Sequence, residues 1–326
     1  MCRWIKQPIS MRTCNGLIAA VLTAVMIPPL VSSQPSSGEL ARARALVDNG
    51  EIQDAESAVR AFLKQAPNSA DGHYLLSYVL FRQQRATDSL AEASAGAKSR
   101  APKADELKII ASDYVLLGAF TDAEKWFRQV TELTPDDGSA WYLLGRTQYN
   151  ESSFRAAIGS FEHCLSLQAR HVEAENNIGL AYRELGENEQ AKAAFNTAIT
   201  WQGDHPRDAQ PFLNLGVLLL EEQKVEQAGT YLQSAEDLSP QNATVHENLG
   251  EMFLKTNKLP EARAEFEKAV ELAPESSPLH FKLGRVYKRL GQNDKAQEQF
   301  GLCTRLNGTH SSEKTPNPMT ASEPQN

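Results

Sequence analysis

Residues 243–276 read ATVHENLGEMFLKTNKLPEARAEFEKAVELAPES, and this stretch decides the fold of the whole chain. It contains two segments whose apolar residues recur at helical spacing, which predicts two amphipathic helices. The apolar residues include Leu249, Phe253 and Leu254 in the first segment and Phe266 and Val270 in the second. Gly250 and Ala262 are small, which indicates that the two helices approach closely at these points. Asn257 and Lys258 provide a short turn between the helices, and Pro274 ends the second one.

The same pattern recurs along the chain. A glycine preceded by Leu or Ile, an alanine twelve residues later and a large apolar residue four positions further on return five times. The glycines are Gly145, Gly179, Gly216, Gly250 and Gly284, with separations of 34, 37, 34 and 34 residues. Weaker matches extend the pattern back to residue 36. Because neither helix of a unit can bury its apolar face alone, we expect the units to stack into one continuous core.

This pattern resembles the tetratricopeptide repeat family, in which Trp-x2-Leu-Gly-x2-Tyr is followed by Ala, Phe, Ala and Pro. The matching residues include Trp141, Leu144, Gly145, Gly179, Tyr182, Gly186, Ala191, Phe195 and Ala198. The resemblance implies an all-α fold, a right-handed α-solenoid of stacked antiparallel helix pairs with about eight repeats. The predicted units are 36–69, 70–103, 104–137, 138–171, 172–208, 209–242, 243–276 and 277–310. The fifth unit is longer than the others, and its extra residues fall in a loop within 202–208.

The composition of the 326 residues is that of an ordinary globular chain. Hydrophobic residues make up 41% and charged residues 23%, which excludes a wholly disordered protein. Four cysteines are too few for a scaffold built from disulfides. The formal net charge of −8 argues against a general nucleic-acid binder, because such a protein needs an excess of positive charge facing phosphates.

Residues 1–33 have the three parts of a secretory signal peptide. Three bases and no acid precede an apolar core at 17–27, and small residues follow at 31–33. The apolar core is shorter than the ~20 residues that span a bilayer as a helix. We therefore expect cleavage near Ser33 and an exported protein, periplasmic or extracellular, with no membrane span left and a net charge of −11 after losing three bases. The alternative is an uncleaved segment that anchors the chain in a membrane, and Met11 is a second candidate start.

The end of the chain has a different composition. Residues 311–326 are rich in Ser, Thr, Pro and Asn, which is typical of a disordered polar tail. The last helix indicated by the repeat pattern runs from Asp294 to Leu306. Its polar residues would then have to cover the end of the stack.

Candidates for catalysis or metal binding are weak. After loss of the leader the cysteines are Cys164 and Cys303, which occupy the same small, buried repeat position and stand too far apart for a disulfide. His163 is the neighbour of Cys164, but consecutive helical residues point in different directions. His73, His246 and His280 take the repeat position held by Trp141, which predicts packing or groove-facing side chains. Asp204 and His205 lie in the inserted loop without further ligands, so we expect no metal, no cofactor and no enzyme active site.

The sixth position of the repeat is the strongest candidate for binding. It holds Asn177, Asn214 and Asn248 in successive units and Lys282 in the last. The family resemblance implies that this position points into a concave groove formed by the first helix of each pair. An asparagine amide carries donors and an acceptor, so a row of them suits a peptide backbone. The alternative is that these residues only fix helix packing.

A second candidate is basic. Lys282 and Arg285 stand three residues apart and share a helix face, where they could receive an acidic side chain or a C-terminal carboxylate. The neighbouring Lys288 and Arg289 are better explained as solvated residues at a helix end, where they complement the helix dipole.

These observations favour a noncatalytic exported scaffold that binds a protein or an extended peptide in the groove of its superhelix. The alternative is a structural subunit of an envelope assembly or an export complex. A hydrolase or transferase is disfavoured, because the sequence shows no nucleophile–base pair and no metal ligand set. The sequence makes no prediction of oligomeric state.

Overall fold

A computed structural model describes residues 37–312 of the chain. These residues form sixteen α-helices and no strand, which confirms the predicted all-α solenoid. The predicted leader at 1–33 and residues 313–326 of the predicted tail lie outside the described residues. Within 37–312, no helix has both the length and the hydropathy that crossing a membrane would require.

The helices are arranged in eight consecutive pairs. The first four pairs are α1 Ser37–Asp48 and α2 Ile52–Gln65, α3 Ala70–Arg82 and α4 Ala86–Ala97, α5 Ala104–Leu116 and α6 Phe120–Leu133, and α7 Gly138–Asn150 and α8 Phe154–Leu167. The last four are α9 Val172–Glu184 and α10 Asn188–Trp201, α11 Gln210–Glu221 and α12 Val225–Leu238, α13 Ala243–Lys255 and α14 Leu259–Leu272, and α15 Ser277–Arg289 and α16 Asn293–Ser312. The helices of a pair pack on each other, and the second helix also packs on the first helix of the next pair.

The last helix is longer than the sequence predicts. The helix α16 continues to Ser312, six residues past the predicted end at Leu306. The repeat pattern predicts an end at Leu306, but the Asn, Gly and Thr that follow only weaken a helix. The first proline beyond Leu306 is Pro316, so no residue that breaks a helix outright lies in this segment.

The repeated glycines lie where the two helices of a pair touch. A Cβ atom placed on Gly179 would lie 2.5 Å from the ring of Phe195, and one on Gly250 would lie 2.8 Å from the ring of Phe266. Corresponding contacts join Gly145 to Phe161, Gly216 to Leu232 and Gly284 to Phe300. The close helix approach that the small residues predict is confirmed. The rings of Phe195 and Phe266 are fully buried as a result.

In each helix pair, the turn between the two helices contains one residue in the left-handed backbone conformation. This residue is the fifteenth of every predicted unit: Gly50, Gln84, Gly118, Ser152, Gly186, Gln223, Asn257 and Gly291. Glycine adopts this conformation without a steric penalty, but a side chain brings Cβ close to a carbonyl oxygen. Half of the turns therefore carry local strain that the packed helices hold in place.

We expect Ser152→Gly to raise the free energy of unfolding by about 1 kcal/mol, because it removes the left-handed strain at φ 60°. Ser152 is exposed and its side chain makes no hydrogen bond within residues 37–312, so nothing else is lost. Urea unfolding followed by helical circular dichroism measures the change. Gly118→Ser in the equivalent turn should produce the opposite shift, and equal stabilities for all three proteins would contradict the argument.

The inserted residues of the fifth unit form an ordered loop between α10 and α11. The Gln202 side chain organises it, since its Oε1 accepts from the amides of Arg207 and Asp208 and its Nε2 donates to the Asp208 carbonyl. Asp208 in turn accepts from the amide of Gln210 at the start of α11. The loop therefore changes the spacing between two units without interrupting the stack, because α10 still packs on α11.

Candidate peptide-binding groove

First helices of successive pairs contact one another along one side of the stack. Apart from neighbours along the chain, the helices that come together are first helices of adjacent pairs, such as α9 with α11 and α11 with α13. A stack curves toward the side on which successive helices are closest. The position-six residues lie on these first helices, so their side chains are candidates for lining a concave surface.

Two of the predicted asparagines line one pocket. Asn214 and Asn248 share it with Arg183 and with five further residues, Gln210, Leu213, Val217, Asn242 and Thr244. The Asn214 Nδ2 donates to Asn176 Oδ1 at 2.9 Å, and the Asn248 Nδ2 donates to the Thr244 carbonyl at 2.8 Å. Each amide therefore keeps its carbonyl oxygen and one N–H for another partner.

Arg183 adds a positive charge to this pocket. Its guanidinium makes only a long ion pair to Glu184 at 3.5 Å within residues 37–312, and its side chain is partly buried. The arrangement offers acceptors from the asparagines and charged donors from the arginine, next to the apolar Leu213 and Val217. Sequence reasoning missed Arg183, because the sequence does not reveal which residue of one unit faces the next unit.

Asn177 lies apart from this pocket, on α9 next to α7. Its Nδ2 is 3.4 Å from the Tyr142 hydroxyl, a long hydrogen bond. Tyr142 packs against Phe161 and His171, and its burial raises the pKa of its hydroxyl. The three position-six asparagines are thus not equivalent, since Asn177 faces an aromatic cluster while Asn214 and Asn248 face an open pocket.

The basic pair at the last unit is partly engaged already. The Lys282 Nζ lies 2.7 Å from Glu247 and 2.8 Å from Glu251, both on α13. Burial lowers the pKa of Lys282, but the two glutamates outweigh this effect and raise it overall, so the side chain stays charged. Arg285 is exposed and has no ion pair within the described residues. A ligand carboxylate would meet Arg285 freely and would compete with two glutamates for Lys282.

The three histidines at the repeat position of Trp141, here called the junction histidines, pack between successive units. His73, His246 and His280 each direct Nε2 at the carbonyl of the proline that ends the preceding unit, at 2.8–2.9 Å. The Nε1 of Trp141 reaches the Pro135 carbonyl in the same way. The Nδ1 of each histidine faces Glu92, Glu265 or Gln299 on the second helix of its own pair. This repeat position therefore ties one unit to the next.

The two cysteines of residues 37–312 differ in their burial. Cys164 is buried, which raises its pKa and keeps the thiol protonated, while His163 stacks on Trp141 with ring centroids 4.0 Å apart. Cys303 is only half-buried, contrary to the prediction, because α16 is the last helix of residues 37–312 and packs mainly on α15. Both cysteines are free.

The sequence matches models of one family of repeat proteins along most of its length. A profile described as tetratricopeptide repeat matches residues 40–105, 110–163, 176–243 and 213–277, and a second profile with the same description matches 265–298. These matches cover more than half of the chain, so the chain belongs to the tetratricopeptide repeat family. This is a family of repeat scaffolds, and neither profile is that of an enzyme.

Two curated relatives match part of the chain. The tetratricopeptide repeat-containing protein trd-1 of Caenorhabditis elegans is 25% identical over 168 residues, which are 52% of this chain and 21% of that protein. The protein CTR9 homolog of Arabidopsis thaliana is 26% identical over 154 residues, or 45% of this chain and 14% of that protein. The chain thus matches about a fifth or less of the length of these relatives.

Solved structures share the fold at low identity. A tetratricopeptide repeat protein from Parabacteroides merdae has a TM-score of 0.62 at 18% identity, over 76% of this chain and 97% of that one. The structure of the Cut9–Hcn1 hetero-tetramer of the APC/C has a TM-score of 0.59 at 16% identity. The match covers 87% of this chain and 56% of that one. PilW, a type IV pilus biogenesis factor, has a TM-score of 0.54 at 19% identity, and the match covers 60% of this chain and 90% of that one. These similarities concern the fold alone.

Proposed function

We propose that the chain is a noncatalytic scaffold that binds a protein or an extended peptide along the inner side of its helical stack. A tetratricopeptide repeat fold indicates protein partners, and the observation that carries the proposal is the pocket shared by Arg183, Asn214 and Asn248. Preformed helices present these side chains without an ordering step, so little conformational entropy is lost by the receptor on binding.

The pocket chemistry favours recognition of a peptide backbone. The free carbonyl oxygens of Asn214 and Asn248 accept from peptide N–H groups, and their remaining N–H groups donate to peptide carbonyls. The Arg183 guanidinium donates to a carbonyl or to an acidic side chain. Each hydrogen bond contributes about 1 kcal/mol net, so useful affinity requires several of them together.

Asn177, Lys282 and Arg285 extend the proposed surface on either side. Asn177 is supported by its place on α9, and Arg285 by its exposure and its freedom from ion pairs within residues 37–312. We propose that Arg285 binds an acidic group of the ligand and that Lys282 joins it only when Glu247 or Glu251 is displaced. The binding site is then most open at Arg285 and most pre-organised at Asn214 and Asn248.

We further propose that binding takes place outside the cytoplasm, on the basis of the signal-peptide pattern at 1–33. Retention of that segment as a membrane anchor is the alternative. Cells of the source organism are fractionated, and the protein is detected with an antibody to residues 37–312. Its location, together with N-terminal sequencing, decides between the two alternatives. A start at Gln34 supports cleavage, and intact chain in the membrane fraction supports the anchor.

Binding is tested with an immobilised random-peptide library probed with the full chain. Peptides retained by the unaltered protein should bind the Asn214→Ala, Asn248→Ala double variant about tenfold or more weakly, because two or more hydrogen bonds are lost. Titration calorimetry with the best peptide measures the change. Unchanged affinity, or a library that yields no binder, would contradict the proposal.

A matched control separates binding from packing. Asn196 on α10 makes the same within-helix hydrogen bond as Asn248, from Nδ2 to the carbonyl four residues earlier at 2.8 Å, but it is exposed on a second helix. Asn196→Ala should leave peptide affinity unchanged. If the asparagines serve packing alone, Asn214→Ala lowers stability by about 1 kcal/mol through the lost Asn176 bond, without any effect on affinity.

The alternative role, a structural subunit of an envelope assembly or export complex, predicts a different result in the same preparation. One stable partner in fixed stoichiometry, recovered from the exported fraction and retained by the double variant, would favour the subunit over the peptide receptor.

A further inference from the structure

His246 sits at a junction of three helices with two acidic side chains. It lies near the start of α13, is 4% exposed, and directs Nδ1 at Glu265 Oε2 on α14 at 2.8 Å. Glu236 Oε1 on α12 lies 3.9 Å from the same Nδ1. The ligand atoms of the three residues all lie within 4.8 Å of one another. This trio therefore joins the end of the sixth unit to both helices of the seventh.

The repeat register shows that Glu236 is out of place as a packing residue. Its position is the twenty-eighth of a unit, and the other units fill it with apolar or small residues. These residues are Leu63, Ala97, Thr131, Leu165, Ile199, Val270 and Thr304. The other two junction histidines consequently have no third ligand, since His73 has Leu63 and His280 has Val270 in that place. An acid occurs here in one unit, opposite a histidine that already faces a glutamate.

Hydrogen bonds from neighbouring groups orient the side chains of the trio, as is usual for metal ligands. The Nε2 of His246 lies 2.9 Å from the Pro240 carbonyl, which can only accept, so Nε2 donates there and Nδ1 is the nitrogen that faces the acids. Gln233 Nε2 donates to Glu236 Oε2 at 2.6 Å, which holds that carboxylate with Oε1 toward His246. A metal ion bound at Nδ1 would take the place of the proton that Nδ1 otherwise shares with Glu265.

We propose that His246 Nδ1, Glu236 and Glu265 bind one divalent transition-metal ion of the Zn²⁺ type. A tetrahedral ion with bonds of about 2.0–2.2 Å separates its ligand atoms by about 3.3–3.6 Å. The observed distances from His246 Nδ1 to the two glutamate oxygens, 2.8 and 3.9 Å, bracket this range. One imidazole and two carboxylates leave the fourth position to water. The ion clamps the sixth unit to the seventh. This proposal departs from the sequence-based expectation of no metal.

Zinc binding to the full chain, prepared without a histidine tag, tests the proposal by titration calorimetry with ZnCl₂. We expect one ion per chain and a thermal midpoint that rises with the zinc concentration. Glu236→Leu copies the residue found beside His73, and Glu236→Gln removes the charge while keeping the shape. Both should weaken zinc binding by about tenfold or more, since even outer-shell changes cost that much, and should abolish the thermal shift.

The chain supplies a matched control. Glu92→Gln alters the His73 pair, which lacks a third ligand, and it should leave zinc affinity unchanged. Co²⁺ substituted for Zn²⁺ should give visible absorption bands that disappear in Glu236→Gln. Absence of zinc binding, or binding that both Glu236 variants retain, overturns the proposal. In that case His246 only links Pro240 to Glu265 through its two ring nitrogens, without a metal.

Discussion

Gly179→Ala is expected to lower the free energy of unfolding by about 2 to 3 kcal/mol, as overpacking of a dense core does. The added Cβ would stand 2.5 Å from the Phe195 ring, a ring that is 0% exposed and has no room to retreat. Relief requires the helices α9 and α10 to separate, and this loosens their contacts with both neighbouring units. Urea unfolding followed by circular dichroism measures the loss.

Gly159→Ala is the control for this prediction. Gly159 lies inside α8, and a Cβ placed there would meet no atom within 4 Å. Alanine should therefore stabilise the protein by about 0.5–1 kcal/mol through helix propensity. Replacing Phe195 by Leu in the Gly179→Ala background should recover part of the loss. Equal effects at Gly159 and Gly179 would show that helix propensity, and not the contact with Phe195, explains the glycine.

Asp113→Asn is expected to stabilise the protein near pH 7.5 by up to about 3 kcal/mol. Asp113 is 0% exposed, and neither carboxylate oxygen has a hydrogen-bond partner within residues 37–312. Burial raises its pKa to about 6, which the nearby Ser89 hydroxyl only partly offsets. Other units place Val79, Thr147, Ala181, Leu218 or Val286 at this repeat position.

The raised pKa sets the direction of the pH dependence. Between the unfolded value of 3.8 and the folded value of about 6, the folded chain holds a proton that the unfolded chain has released. This contribution to stability is complete below pH 3.8 and is lost as the pH rises through 6. Asp113→Asn should consequently change little at pH 4 and most above pH 7. Urea midpoints at several pH values measure it, and a gain that is the same at every pH would contradict the assignment.

Asp137→Asn provides a control of opposite sign. Burial raises the pKa of Asp137, but the Lys108 ammonium at 2.8 Å and the amide donors at the start of α7 outweigh it and lower the pKa overall. Its contribution to stability is present above the unfolded pKa and is lost as the pH falls. Asparagine keeps the helix cap, so the variant should lose stability at neutral pH and approach the unaltered protein in acid.

The repeat pattern predicts the fold well because its contacts are local. Gly250 and Phe266 belong to one unit and meet across one short turn, so their spacing in the sequence already states which helices pack. The extent of α16 was predicted less well, since Asn307 and Gly308 weaken a helix without ending it. The unusual burial of Asp113 could have been predicted from the repeat alone, because most other units have an apolar residue at this position.

The sequence by itself determined the all-α class, the helix pairs and the family, because these depend on residue types repeated at one spacing within each unit. Only the tertiary structure decided which side chains meet between units. In the tertiary structure Lys282 forms ion pairs with Glu247 and Glu251. Asn214 donates a hydrogen bond to Asn176, and Glu236 lies near His246. Such contacts depend on the rotation and offset of one helix pair against the next, and many residues are compatible with the same packing core.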